Sequence, residues 1–379
     1  MAGTDSAAGR EAADEGPART LRLAAAIARR ALVPVAAAAA LGLVGAGLAI
    51  RALPDSRSDP VDTAAGWLRL PMLLATLAAV ATAIEVWPAF GRGRPDAPWI
   101  LRLRLGPFDG GATAAFAVAG VLALCLTVVG LTFEPLVRPG ASRPVRVAVP
   151  LRAEGPPRLT RNAPHLTLRP ADEAPVRGAD RLEVRTLVGL SAAGEFPAAR
   201  VRLLVDDRDL GVHELPPAGG LLRVELDGRP VGAARIDLEP GQDLLLWLPE
   251  NGARLLGPAG VGAAANAVAA ALSALPVAAL ALALAIAGRA RLDRAVLHLG
   301  AGGASLTAWI APWSPVPWAV EAYARDLTCW NAGAASAAAG LGAAAAGLAL
   351  LGAGRCGRAG QAADISLELP RRSPSLRSR

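Results

Sequence analysis

The sequence predicts an α-helical polytopic membrane protein of about six transmembrane helices, with an inserted all-β extracytoplasmic domain of sandwich or jelly-roll type. Three observations predict it. Long apolar stretches recur along the chain. A polar block separates the third from the fourth. Arginines collect on alternate sides of the stretches.

The clear apolar runs are Ala31–Ile50, Leu70–Phe90, Ala112–Phe133, Ala263–Ala287 and Ala332–Leu351, with a weaker one at Ala295–Trp313. A helix needs roughly 20 apolar residues to cross the hydrocarbon core, and each clear run has about that many. The first run is too long, and its polar lead too extended, for a typical cleaved signal peptide. Spans therefore fall in residues 31–137 and 258–354. The polar block runs from Arg138 to about Gly257 and contains no such run.

Orientation follows from charge. The chain has no lysine, so arginine carries its fixed positive side-chain charge. Arg10, Arg19, Arg22, Arg29 and Arg30 precede the first span, within the cytoplasmic tail 1–30. Arg92, Arg94, Arg102 and Arg104 follow the second span, and Arg289, Arg291 and Arg294 follow the fourth. Arg355, Arg358, Arg371, Arg372, Arg377 and Arg379 lie in the basic tail 355–379. The remaining short connections are poorer: Arg51, Arg57 and Arg69 in one, Arg325 in the other. The positive-inside rule then puts both termini in the cytoplasm and the polar block outside. Trp67, Trp87, Trp99, Trp309, Trp313, Trp318 and Trp330 all fall at or near predicted span ends. The indole, apolar with one polar N–H, prefers that level. The net charge of +7 is thus read as topology and attraction to anionic lipid. No basic helix with interleaved aromatics suggests nucleic acid.

The polar block, residues 138–257, reads as strands. Apolar and polar residues alternate in Arg146–Ala153, His165–Arg169, Arg181–Leu187 and Arg200–Val205. Leu221–Glu225 and Ala234–Leu238 flank Asp227-Gly228, and Leu244–Leu248 and Ala253–Leu256 flank Glu250-Asn251-Gly252. Such dipeptides supply the positive φ of tight hairpins. The acidic run Asp206-Asp207-Arg208-Asp209 lacks calcium-loop spacing and reads as a solvated hairpin turn. His165 and His213 have no cysteine beside them, too few ligands for zinc. Cys125, Cys329 and Cys356 leave the block without a disulfide, so it needs a packed core.

The flanks of the spans carry more detail. Leu21, Leu23, Ala24 and Ile27 interleave with arginines as an amphipathic cytoplasmic helix. Val320, Tyr323, Leu327 and Trp330 recur at helical spacing, so an outer interfacial helix is expected over 317–330, with Glu321 and Arg325 as an i,i+4 pair. Glu85 is the acid inside a clear span, and its place near the span end lets it reach water; His298 and Arg69 are read alike. Helix 332–351, rich in Gly and Ala, suits close packing, either within the chain or in a homo- or heterodimer.

These residues together resemble the membrane-spanning subunit of an ABC exporter of the ABC-2 type. An amphipathic helix leads into the spans, and a short outer helix at Pro317–Trp330 separates the fifth from the sixth. An outer β-domain sits between the third and fourth, re-entering the membrane through Gly252–Pro258. Permeases that extract lipopolysaccharide carry a β-jelly-roll at that position. The family's coupling-helix and substrate-gate residues have no counterpart here. The resemblance implies a permease of a bacterial inner membrane without its own ATPase, served by a separate ATP-binding subunit. A P-loop needs a lysine at the phosphates, and this chain has none. Schiff-base chemistry fails on the same ground. Gly189–Gly194 misses the spacing of a nucleophile elbow. No enzyme activity, cofactor or metal is expected. The candidate docking site for the ATPase is Trp99, Ile100 and Leu101, with Arg102 and Arg104 facing acidic residues of the partner. The other reading is a non-transporting membrane scaffold whose β-domain binds an envelope partner.

Overall fold

The computed structural model describes residues 5–52, 60–86, 107–137, 144–189, 198–215, 219–242, 244–250, 252–288, 293–311, 314–329 and 342. They divide into two compact units. One comprises helices on either side of the polar block, and the other is Ser142–Ala263 with Asp326–Thr328.

In the helical unit, α1 spans Asp5–Ala52, α2 Pro60–Val86 and α3 Pro107–Val137. After the β-unit come α4 (Ala263–Leu272), α5 (Ala274–Gly288), α6 (Arg294–Ile310) and α7 (Pro315–Ala324). Four segments are long and apolar enough to cross a membrane: Leu21–Ala52, Ala65–Val86, Thr113–Val137 and Ala263–Ala285. The last is α4 and α5 in succession, broken at Ser273, whose hydroxyl donates to the Ala270 carbonyl at 2.6 Å. α6 is a shorter apolar helix. The expected span 332–351 lies outside the described residues.

No break separates the amphipathic stretch from the first apolar run. α1 passes through both, with Leu23 and Ile27 buried alongside Ala31 and Val35. Helix backbones meet closely at two glycines. A Cβ on Gly42 would lie 2.4 Å from Pro71 Cα, so α1 crosses α2 there. A Cβ on Gly130 would lie 2.5 Å from Val268 Cα, where α3 crosses α4. Small residues permit such approach where burial of apolar surface between helices gives no drive. Hydroxyls inside these helices turn back on their own backbone: Thr76 donates to the Met72 carbonyl at 2.8 Å and Ser305 to that of Ala301 at 2.9 Å. That satisfies a polar group without another helix.

The β-unit is one ten-stranded antiparallel sheet. Its strands are β1 (Pro144–Ala153), β2 (Arg158–Leu159), β3 (His165–Pro170), β4 (Arg181–Val188) and β5 (Ala199–Val205). The others are β6 (Arg208–Leu215), β7 (Gly219–Glu225), β8 (Ala234–Leu238), β9 (Leu246–Trp247) and β10 (Ala253–Gly262). The order is β2-β9-β4-β10-β1-β3-β8-β5-β6, and β7 pairs with the other edge of β4. Alternation sends one face of each strand inward. Leu151, Leu168, Leu182, Leu203, Ile236, Leu246 and Leu255 share one apolar core. With no disulfide among the described residues, this core is what holds the unit together.

The turns differ from expectation in one respect. Gly228 has φ +75, as a turn glycine should, but the strands around it are not partners: β7 pairs with β4, and β8 with β3 and β5. The strands around Glu250–Gly252 are likewise unpaired with each other, since β9 and β10 both pair with β4. Pairing here is set by the shared core rather than by the adjacent turn. The tight hairpin lies at Asp206-Asp207, both with positive φ, between β5 and β6. The Asp206 carboxylate accepts from the backbone N–H of Gly232 and Ala233 at 3.0 and 2.8 Å, so it is occupied as a loop acceptor.

Candidate functional site

The residues expected to dock an ATPase, Trp99, Ile100, Leu101, Arg102 and Arg104, lie outside the described residues. What the structure brings together is a set of buried polar groups around α7. Ser314 caps that helix, its Oγ accepting from the Val316 N–H at 3.3 Å, and Pro315 takes the first turn, where no N–H is needed. Val316, Val320 and Tyr323 are buried, while Glu321 reaches Arg325 at 2.7 Å on the other side.

Tyr323 reaches back to the end of α3. Its hydroxyl donates to Glu134 Oε2, and its ring meets Phe133 edge-to-face at a centroid distance of 6.4 Å. Glu134 is 6 % exposed, and its second oxygen has no hydrogen-bond partner. The sequence reading stopped the third span at Phe133, whereas α3 continues to Val137 and carries Glu134 inward. The two partners are 189 residues apart, so no local pattern announces the pair.

A second pair lies nearby in the chain. Asn266, on α4, accepts from the Cys329 N–H at 3.0 Å through its Oδ1. Cys329 Sγ lies 3.3 Å from the Asn266 carbonyl and 3.4 Å from that of Ala319. Burial pushes the Cys329 thiol up to about 12, so at neutral pH it is the protonated, unreactive form. A third pair joins α2 to α6: His298 Nε2 and Glu85 Oε1 are 3.0 Å apart. Glu85 and His298 were read as separate residues reaching water, and they meet each other.

The β-unit has its own polar constellation. Glu183 faces away from the core yet is fully buried, because Arg223 on β7 and Arg254 on β10 close over it at 3.1 and 3.4 Å. Register makes this: Glu183 is opposite Arg223 on one side and Arg254 on the other. Arg181 and Glu225 pair at 2.9 Å in the next row. Arg146 reaches Asp180, and its backbone pairs with Asp326–Thr328, the Thr328 N–H donating to the Arg146 carbonyl at 2.9 Å. Among the described residues no three of His, Cys, Asp and Glu converge as metal ligands would.

No protein-family model matches the chain, and no curated protein matches it. Solved structures similar to it include the CBM51-2 and INT domains of Clostridium perfringens ZmpB, with GlcNAc and without it. Identity is 12 % and 10 %, over 45 % and 44 % of this chain, at TM-scores of 0.18 and 0.19. The chain spans less than half the length of those structures, 41 % of each. Likeness at that level carries no functional argument.

Proposed function

We propose that the chain is the transmembrane permease subunit of an ABC-type export system, catalysing no reaction itself and driven by a separate ATP-binding subunit. The observation that supports this reading is the placement of the β-unit. It is inserted after the third span-length segment and before the fourth, and a short capped helix, α7, follows the shorter apolar helix α6. In this reading Ala332–Leu351 completes six spans, both termini face the cytoplasm and the β-unit faces outward. The sheet is read as sandwich-like, its two halves facing each other across the single core. In the same reading membrane lipids surround the spans, and the small residues of 332–351 serve contact with a second subunit.

Two measurements test it. A reporter fused after Arg379 scores cytoplasmic and one inserted at Gly228 scores extracytoplasmic; the same side for both overturns the topology. The protein purified from its native membrane brings an ATP-binding subunit with it, and replacing Trp99, Ile100 and Leu101 with alanine releases that subunit. Absence of any ATPase from the wild-type preparation rejects the exporter. Retention by the alanine variant moves the docking site elsewhere.

A second reading is favoured by one observation. Glu85 with His298 and Glu134 with Tyr323 use each other as partners inside the helical unit, as an anchor that transports nothing would need. The chain would then be a membrane scaffold whose β-unit binds an envelope component, and purification without an ATPase selects it.

A further inference from the structure

The outward face of the sheet carries an apolar centre rimmed by arginines that have no carboxylate partner among the described residues. Trp247 on β9 is 51 % exposed, Leu187 on β4 49 % and Leu245 38 %. Register sets them side by side: Trp247 is opposite Leu187 on β4 and opposite Arg158 on β2. Their sequence neighbours Leu246, Leu159 and Val188 are in the core, so Trp247, Arg158 and Leu187 face outward together. Arg185, two residues before Leu187, is on the same face, and its backbone N–H donates to the Gly252 carbonyl at 2.6 Å. Leu151 is opposite Ala253, which puts Arg152 level with Gly252 from the other side. Arg185 and Arg152 thus flank a residue without a side chain, two strand spacings apart, roughly 10 Å. A Cβ on Gly252 would lie 2.7 Å from the Pro249 carbonyl oxygen, so the gap between the two arginines is built into the backbone.

These arginines are exposed, and the acids beside them are engaged elsewhere. Glu183 is held by Arg223 and Arg254, and Glu154 by Arg169 at 2.5 Å. Among the described residues Glu250, exposed in the turn after β9, is the other acid at hand, and it makes no ion pair there. Counted over the described residues, Arg152, Arg158 and Arg185 against Glu250 leave the patch positive. Cross-strand like charges destabilise a sheet, and Arg152 directly opposite Arg169 is such a pair. An exposed indole beside guanidinium groups has the composition of an interaction hot spot, and guanidinium forks fit carboxylates two bonds at a time.

We propose that this face is a docking surface for an acidic protein segment, with Trp247 and Leu187 receiving an apolar side chain and Arg158, Arg185 and Arg152 receiving its flanking carboxylates. The site stands whether or not an ATPase serves the helices, so its test is independent of the export reading.

The experiment uses the full chain in nanodiscs of phosphatidylcholine and three labelled synthetic peptides, read by fluorescence anisotropy. One has a Leu-Phe centre flanked by glutamates, the second has serines in place of the glutamates, and the third is polyglutamate. The first binds at least about tenfold tighter than either of the others, since both apolar centre and charges are needed. Trp247→Ala weakens it by about tenfold or more. Arg158→Ala with Arg185→Ala weakens it comparably and flattens its dependence on salt. Arg208→Ala, elsewhere on the unit, leaves it unchanged. All of these are exposed positions, so loss of fold does not enter; Trp247→Phe, which keeps a ring, restores part of the binding. Equal binding of the three peptides overturns the proposal, as does a Trp247→Ala variant that binds like wild type. Competition by phosphatidylglycerol vesicles would make the face a lipid contact. Self-association lost in Trp247→Ala would make it a contact between copies. Either outcome also overturns it.

Discussion

Tyr323 donates its hydroxyl to the buried carboxylate of Glu134, and so ties α7 to the last turn of α3. Glu134 has no other hydrogen-bond partner on its second oxygen, which makes the tyrosine its main compensation for burial. Tyr323→Phe is therefore expected to destabilise the protein by about 1–3 kcal/mol, the cost of leaving a buried polar group unpaired. Glu134→Gln, which still offers Tyr323 an acceptor, costs less. Thermal midpoints of the detergent-solubilised variants check this, and equal midpoints for wild type and Tyr323→Phe would remove Glu134 from the list of stabilising pairs.

Glycine at the helix crossings supplies a prediction with an internal control. Gly42→Ala and Gly130→Ala each drive a methyl group into backbone, at 2.4 Å from Pro71 Cα and 2.5 Å from Val268 Cα. Each is expected to cost at least about 1–3 kcal/mol through forced separation of two helices. Gly120→Ala meets nothing within 4 Å and leaves the thermal midpoint unchanged or slightly raised. A Gly120→Ala protein as unstable as Gly130→Ala would show that the loss is not steric.

Within the β-unit, Glu183→Gln removes the one charge set between Arg223 and Arg254. Breaking a buried ion pair costs about 3–5 kcal/mol; Glu183 has no exposed surface, but Arg223 is 30 % exposed and water offsets part of its loss. Arg254, 13 % exposed, is the costlier of the two arginines to remove. Urea midpoints should fall in the order Arg223→Ala, Arg254→Ala, Glu183→Gln. A Glu183→Gln midpoint equal to wild type would mean that the triad contributes nothing net.

Acid stability has a named contributor. Desolvation works against the exposed Asp227 carboxylate, but the hydrogen bond and charge of Arg208, with the charge of Arg229, hold its carboxyl below the ordinary range. A depressed folded value stabilises above the unfolded carboxylate range, near about pH 4, and that contribution is lost as the pH falls through the folded value. Arg208→Ala should lower stability at neutral pH by the small amount expected of an exposed pair, and its difference from wild type should vanish as the pH falls through the folded value. A stability difference that stays constant from neutral pH down to acid unfolding would rule out this pair.

Local alternation made most strands legible. Ala234–Leu238 has the bounds the pattern implied, and β1, β3, β4 and β5 differ from theirs by a residue or two. β6 was not legible: Arg-Asp-Leu-Gly-Val-His-Glu-Leu lies at the sheet edge and buries only Leu215 fully, so its period of two is faint. β2 is two residues, too short for any period, whereas β9 falls inside the expected Leu244–Leu248 and keeps only Leu246–Trp247. The order of strands was hidden because the turns join non-partners. Glu85 and His298 were visible as polar residues near apolar runs, but not as partners, since 213 residues separate them. Glu183 read as one more outward charge, and only register reveals that two arginines enclose it.

Three passages of chain enter or leave the β-unit at one place: Pro144 is level with Gly262, and Arg146 is joined to both Pro258 and Leu327. β1 and β10 are antiparallel, and their neighbouring ends lead to α3 and α4. A pull on those two ends loads the ladder like a zipper, one rung after another, whereas a pull from opposite ends would load all rungs at once. The first rungs, between Pro144 and Arg146, already carry a register shift. Tension would open the unit there first. The Asp326–Thr328 segment, laid alongside Arg146, works as a latch on that opening.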